Sequence, residues 1–274
     1  TLRLALRAQQ TDSRIFWHGG SRLWAVEHDF FESSFGSLYR GLHAFLTVPD
    51  ERRRLILGQR RPQTDPSLSL RGDYGPFNSL VLGTRRARDF FLIIGPPGTG
   101  KTSFGLLNTL REELLSADAS VLLMAYTNRA VDEICSKLVE SGIDFVRIGG
   151  QFVCEQACRP YLVDALVDRS ASVSALRDNL VKARVVVGTT TAVNASPALF
   201  TLKQFSLAVI DEASQILEPH LLGLLCAVGP DRRCAIRRFV LIGDHKQLPA
   251  VVQQDASQSA VDDGPLRAIG LRDC

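Results

Sequence analysis

A chain of 274 residues, 45% hydrophobic and 22% charged, has room for one sizeable α/β domain and a smaller accessory region. Its formal net charge of +3 is too small to argue alone for a nucleic-acid surface, and no uninterrupted apolar stretch approaches the ~20 residues needed to cross a bilayer. Six cysteines, at positions 135, 154, 158, 226, 234 and 274, follow no disulfide-scaffold rhythm, so with no secretory signal a reducing, cytoplasmic setting is the expectation.

Residues 1–74 lack the strand–helix alternation that follows and are expected to form an accessory or stalk region and a linker. Within them, Phe30 to Leu46 has the apolar stripe of a helix packing on a core. Arg61 to Pro76, rich in Pro, Gly, Asp and Ser, reads as a linker. The basic residues are overwhelmingly arginine and form clusters at 52–54, 60–61, 85–88, 232–233 and 237–238. A phosphate-tracking surface could use any of these, and a solvated face is the competing reading.

The run Phe90-Phe91-Leu92-Ile93-Ile94 then leads into Gly95-Pro96-Pro97-Gly98-Thr99-Gly100-Lys101-Thr102. Glycines let a backbone wrap round phosphates, amides and a helix N-terminus point at them, Lys101 adds charge and Thr102 reaches a magnesium ion. A helix over 101–115 should follow, and the reading is a nucleoside triphosphate site. Further apolar strands end in polar turns: Val121–Ala125 before Thr127 and Asn128, and Val185–Val187 before Thr189 and Thr190. Between these two, residues 141–184 carry a short strand at Phe145–Ile148 and a helix over Ala171–Ala183. Cys154 and Cys158 have a spacing that could ligate metal, but no second pair completes a four-ligand site.

Leu207–Ile210 ends in Asp211-Glu212. Two carboxylates at a strand end suit a magnesium-dependent hydrolase, Asp211 holding the metal and Glu212 activating water. Phe239–Ile242 leads into Gly243-Asp244-His245-Lys246-Gln247-Leu248-Pro249, a polar turn where α/β sheets place ligands. The polar run 253–259 is expected to be mobile. The alternation from Phe90 onward predicts a mainly parallel sheet covered on both faces.

The ordered set GPPGTGKT, AYTNRAVDEI, VVVGTTTA, VIDEASQ and LIGDHKQLP resembles motifs I to III of superfamily 1 helicases, of the Upf-like, senataxin-like group, over about residues 75–255. The resemblance implies a P-loop RecA-like ATP-binding domain at 75–274, with an insertion near 141–184. Its cofactors would be ATP and Mg2+. It implies that Gln247 senses the γ-phosphate, with Asp244 holding the turn, and that Thr127, Asn128, Thr189 and Thr190 contact a single strand of DNA or RNA. Helix capping is the competing role for those four. Many members of the group carry an adenine-reading glutamine upstream of the phosphate loop. No glutamine occurs between Gln63 and Gln151, and Asn78 stands as a remnant of that motif in a shortened segment. The chain starts at Thr1 and ends soon after motif III, so the expectation is a fragment whose second RecA-like domain lies elsewhere in a longer protein. The function implied is the ATP-binding half of a nucleic-acid-dependent ATPase that translocates and unwinds; a nucleotide-switched binding module is the alternative.

Overall fold

A computed structural model describes residues 35–96, 98–244, 246–247, 260–262 and 264–268, which belong to the compact unit Ser34–Cys274. Its centre is a six-stranded sheet: β1 (Phe90–Ile94), β2 (Val121–Ala125), β3 (Val146–Ile148), β4 (Val185–Thr189), β5 (Phe205–Asp211) and β6 (Ile236–Gly243). The spatial order is β1-β6-β5-β2-β4-β3 and every pairing is parallel. Parallel strands need both faces covered, which is why β2 is buried at all five residues and reads as an unbroken apolar run.

The alternation of side chains along a strand sorts that run into two cores. Val121, Leu123 and Ala125 join Leu110, Ile134, Cys135 and Leu138, which come from α4 (Leu107–Leu114) and α5 (Asn128–Glu140). Leu122 and Met124 face the opposite way, toward Val193, Leu199, Phe200, Leu221 and Leu224. That second layer comes from α8 (Thr190–Asn194), α9 (Ala198–Leu202) and α10 (Glu218–Leu225). The expected mainly parallel α/β sheet is the observed one.

The interval 141–184 contributes β3, an edge strand of this same sheet, and then α6 (Val163–Arg169) and α7 (Val173–Lys182). The two cysteines raised as metal ligands sit here. Cys154 Sγ lies 3.7 Å from the Gln151 carbonyl, and Cys158 is buried in the first core. Among the described residues no group of three or more His, Cys, Asp or Glu is arranged to hold a metal ion, and no helix is long and apolar enough to cross a membrane.

N-terminal to β1 lie α1 (Phe35–Thr47), α2 (Asp50–Ile56) and α3 (Asn78–Arg86). The predicted helix at 30–46 is found as α1; residues 30–34, like the rest of 1–34 and the polar run 253–259, lie outside the described residues. α1 docks on α10 through a glycine pair, since a Cβ at Gly41 would come within 3.0 Å of the Gly223 nitrogen. The stretch from Arg61 to Pro76 is a strap bound to the core rather than a free connector. Arg88 and Asp65 donate backbone N–H groups to the carbonyls of Gln63 (2.9 Å) and Arg86 (2.7 Å). Further on, the buried Glu112 carboxylate accepts from the N–H of Arg71 (3.0 Å), the N–H of Gly72 (3.1 Å) and the Tyr74 hydroxyl (2.8 Å).

Arginines sew this seam. Arg85 donates to the Ser69 carbonyl (2.7 Å) and pairs with Glu112 (3.0 Å), while Arg86 donates to the Leu68 carbonyl (2.8 Å). Arg60 forks onto Asp89 at 2.9 and 2.7 Å, and Arg88 pairs with Asp65. Arg238 holds the Thr84 carbonyl (2.6 Å) and Glu113, whereas Arg52 is buried, donating to the carbonyls of Ile236 and Arg237 (both 3.0 Å) above the Phe239 ring. Arg52, Arg60, Arg85, Arg86 and Arg238 are internal struts, which neither a phosphate-tracking surface nor a solvated face describes; Arg88 stays exposed and makes its pair with Asp65 at the surface.

Candidate nucleotide-binding and hydrolysis site

β1 hands the chain to the phosphate loop at the C-terminal end of the sheet, where parallel strands present their ligands. Gly100 has φ +78°, and a Cβ there would lie 2.6 Å from the Phe104 ring, so glycine is required on both counts. Pro97 is outside the described residues. Lys101 folds back, its ammonium donating to the carbonyls of Gly95 and Pro96, the latter at 2.6 Å, and the Thr99 hydroxyl donates to the Pro96 carbonyl at 2.8 Å. The helix expected over 101–115 begins as a π-helical turn, Lys101–Leu106, before α4. Such turns are uncommon and recur at functional sites.

The Thr102 hydroxyl donates to Asp211 Oδ2 at 2.7 Å, joining residues 109 apart in sequence. Parallel pairing makes this contact possible, because β1, β6 and β5 are consecutive neighbours that all end on one side. Asp211 is buried, and burial raises its pKa against the opposing Thr102 hydrogen bond. Glu212 follows in the left-handed region, φ 54°, where a non-glycine residue is strained. Its N–H donates to Asp211 Oδ1 at 2.9 Å. Burial, then the charge of Asp211, then that of Glu133, push the Glu212 pKa up.

Asp244 organises the turn after β6: its N–H donates to Ser214 Oγ (3.2 Å), and its carboxylate accepts from the Lys246 N–H (2.9 Å) and Gln247 Nε2 (3.3 Å). His245, Leu248 and Pro249 lie outside the described residues. Lys101, Thr102, Asp211, Glu212 and Gln247 all line one cleft of about 490 Å³, within the range of small-molecule sites. Sequence reading did not single out Glu133, Lys137 and Phe104, which line it too. Glu133 and Lys137 pair at 2.5 Å on α5, an i, i+4 spacing visible in the sequence but without a partner to mark it as functional.

The four residues assigned to a nucleic-acid strand fare differently. Thr127 is exposed and its hydroxyl accepts from the Ala130 N–H at 3.2 Å, capping α5, with Asn128 half-buried beside it. Thr189 caps α8 through the Ala192 N–H at 3.0 Å, and both it and Thr190 are buried. The capping role is realised for both Thr127 and Thr189. Thr191, next in the chain, is exposed.

The family model AAA_11, described as an AAA domain, matches residues 79–179 and 168–255. The chain belongs to this AAA-domain family. Within it, the five ordered motifs mark a RecA-like domain of superfamily 1 helicase type. The DNA replication ATP-dependent helicase/nuclease JHS1 of Arabidopsis thaliana is 32% identical over 84% of this chain and 17% of its own length. The DNA replication ATP-dependent helicase/nuclease DNA2 of Gallus gallus is 30% identical over 87% of this chain and 25% of its own. This AAA-domain chain thus spans a quarter or less of these relatives. Among solved structures, the UvsW helicase from bacteriophage T4 aligns with a TM-score of 0.44 at 16% identity, over 71% of this chain and 60% of that one.

Proposed function

We propose that this chain is the ATP-binding half of a nucleic-acid-dependent ATPase that, joined to a second RecA-like domain of the same protein, moves along single-stranded DNA or RNA and unwinds it. The observation that carries the reading is the 2.7 Å contact of Thr102 with Asp211, which brings the phosphate loop to the acidic strand end with Glu212 beside it. A hydroxyl and a carboxylate in that contact fit a hard, oxygen-seeking cation such as Mg2+, held by Thr102 and Asp211. When bound, the ion neutralises charge building on the transferred phosphoryl group.

Each residue then has a task. The Lys101 ammonium is the cation for the β- and γ-phosphates, with the loop from Gly95 to Gly100 supplying backbone amides. Glu212 takes the proton of the attacking water, and its raised pKa makes it a stronger base than an ordinary glutamate. Gln247, tethered to Asp244, answers the γ-phosphate. A switch that never hydrolyses needs neither of the last two, and that favours the motor. On the strand side, exposed Thr127 with Asn128 forms the contact surface, a sequence-independent grip suited to a motor in a reducing cytoplasm.

The test is ATP turnover by the full-length product with and without single-stranded DNA or RNA, against Lys101→Ala. Stimulation that disappears in the variant is the expected result. Turnover indifferent to both nucleic acids overturns the motor reading.

A further inference from the structure

On the nucleotide-site reading above, the sheet order orients a bound triphosphate. Asp211 and Glu212 end β5 and Gln247 follows β6, so the reacting end of a triphosphate sits over β6 and β5. The phosphate loop follows β1, the edge strand beyond β6. The nucleoside therefore extends the other way, past the β1 edge, toward the start of α3 and the π-helical turn. This step rests on the nucleotide-site reading above.

An aromatic pair stands at that edge. Phe104 and Phe77 stack with ring centroids 5.1 Å apart and planes 14° from parallel. Phe104 is 52% exposed and lines the same cleft as Lys101, Thr102 and Gln247. It thus offers a flat π face backed by a second ring.

The polar groups that flank Phe77 in the adjoining strap bond chiefly to one another. Asn78 Oδ1 accepts the Tyr74 N–H (2.8 Å) and Asn78 Nδ2 donates to Asp73 Oδ1 (2.8 Å), which also accepts the Gly75 N–H (3.0 Å). The Tyr74 hydroxyl is spent on Glu112. Asn78 is a turn-closing residue here. Telling adenine from guanine requires fixed donors and acceptors set against the 6-amino or 6-oxo edge, because only an unpaired buried group penalises the wrong base. Stacking makes no such distinction, since every base presents a π face.

We propose that the nucleobase is held by stacking on Phe104, braced by Phe77, with its hydrogen-bonding edge unread by the described residues of the strap, so that the site accepts purine triphosphates as a class, ATP and GTP alike. The larger π surface favours both over CTP and UTP.

The experiment is equilibrium binding of a ribose-labelled fluorescent ATP analogue to the whole chain with Mg2+, competed by unlabelled ATP, GTP and CTP. ATP and GTP are expected to compete within about threefold of each other. Phe104→Ala should weaken both in parallel by about 5- to 150-fold, the span of losing one base–aromatic stack. Phe104→Trp should hold both near the parent value, separating stacking from damage to the loop beside Gly100. Asn78→Ala should leave the ATP-to-GTP ratio unchanged. A preference for ATP above tenfold, or Phe104→Ala binding as the parent does, overturns the proposal. Failure of every nucleotide to bind, or binding that Lys101→Ala leaves unchanged, would instead overturn the nucleotide-site reading beneath it.

Discussion

Arg147 and Asp132 form the most deeply buried ion pair described, their side chains only 1% and 8% exposed. The pair ties β3 to α5, and Asp132 Oδ2 also takes the Glu155 N–H at 3.3 Å, fixing the loop after β3. Arg147 Nε finds no acceptor among the described residues, so desolvation is incompletely offset even in the intact protein. Replacing Asp132 by Ala leaves a guanidinium buried and unpaired, and breaking such a pair costs about 3–5 kcal/mol. At ~2–4 °C per kcal/mol for a domain of this size, the melting temperature should fall by about 6–20 °C. Substituting both residues by apolar ones, Asp132→Leu with Arg147→Met, should recover most of the loss, because the orphaned charge goes with its partner. Urea unfolding of the parent, Asp132→Leu, Arg147→Met and the double variant closes the cycle, with the slope against denaturant checking that the unfolding reaction is unchanged. A single-variant loss below about 1 kcal/mol, the level of a solvent-exposed pair, would refute the claim that this pair is sealed from water.

Three further outcomes follow from the site and the strap. Glu212→Gln should retain nucleotide binding while turnover drops by about 10²- to 10⁴-fold, the usual worth of a general base, which single-turnover measurements will separate from binding. Glu133→Gln removes a negative charge that raises the Glu212 pKa, so the acid limb of the turnover profile should move to lower pH; an unmoved limb would assign that limb to another group. Glu112→Gln exchanges a carboxylate for an amide whose NH2 must face donors in Arg71, Gly72 and Tyr74. Amide hydrogen exchange over residues 69–77 should then quicken by about 10- to 150-fold, with the strands of the sheet unaffected.

The sheet was legible because a strand buried on both faces must be apolar throughout. Val121–Ala125 and Leu207–Ile210 could be read directly, and their polar C-terminal ends marked the ligand side. Strand order was not legible, since the neighbours of β2 are β5 and β4, partners more than fifty residues away. The candidate cluster was readable as chemistry, but its assembly through Thr102 and Asp211 is a long-range fact. For Thr189 and Thr190 the motif gave the residue types without saying which hydroxyl faces out, and helix capping turned the first one inward. Composition marked residues 61–76 as loop, yet nothing in Pro, Gly and Ser content reveals that Glu112 on α4 binds them. The arginine clusters show the same limit: a guanidinium reads alike in sequence whether it meets solvent, as Arg232, Arg233 and Arg237 do, or, as Arg52 does, the carbonyls of Ile236 and Arg237.

The carboxylates of the arginine-sewn seam and those of the candidate site have pKa values shifted in opposite directions. Burial alone would raise Asp89, but the Arg60 guanidinium and the Gln63 N–H outweigh it and hold its pKa below the usual value; the Ser67 hydroxyl and Arg88 do the same for Asp65. A depressed carboxylate keeps its contribution to stability until the pH falls through its own low pKa. Arginine keeps its proton across the accessible range. Asp211 and Glu212, raised by burial, take up protons first as the solution is acidified. In the metal-free chain the site's carboxylates thus begin to lose charge while Asp65 and Asp89 still hold theirs. Acidification should therefore reach the site's carboxylates before it reaches those that clasp the strap.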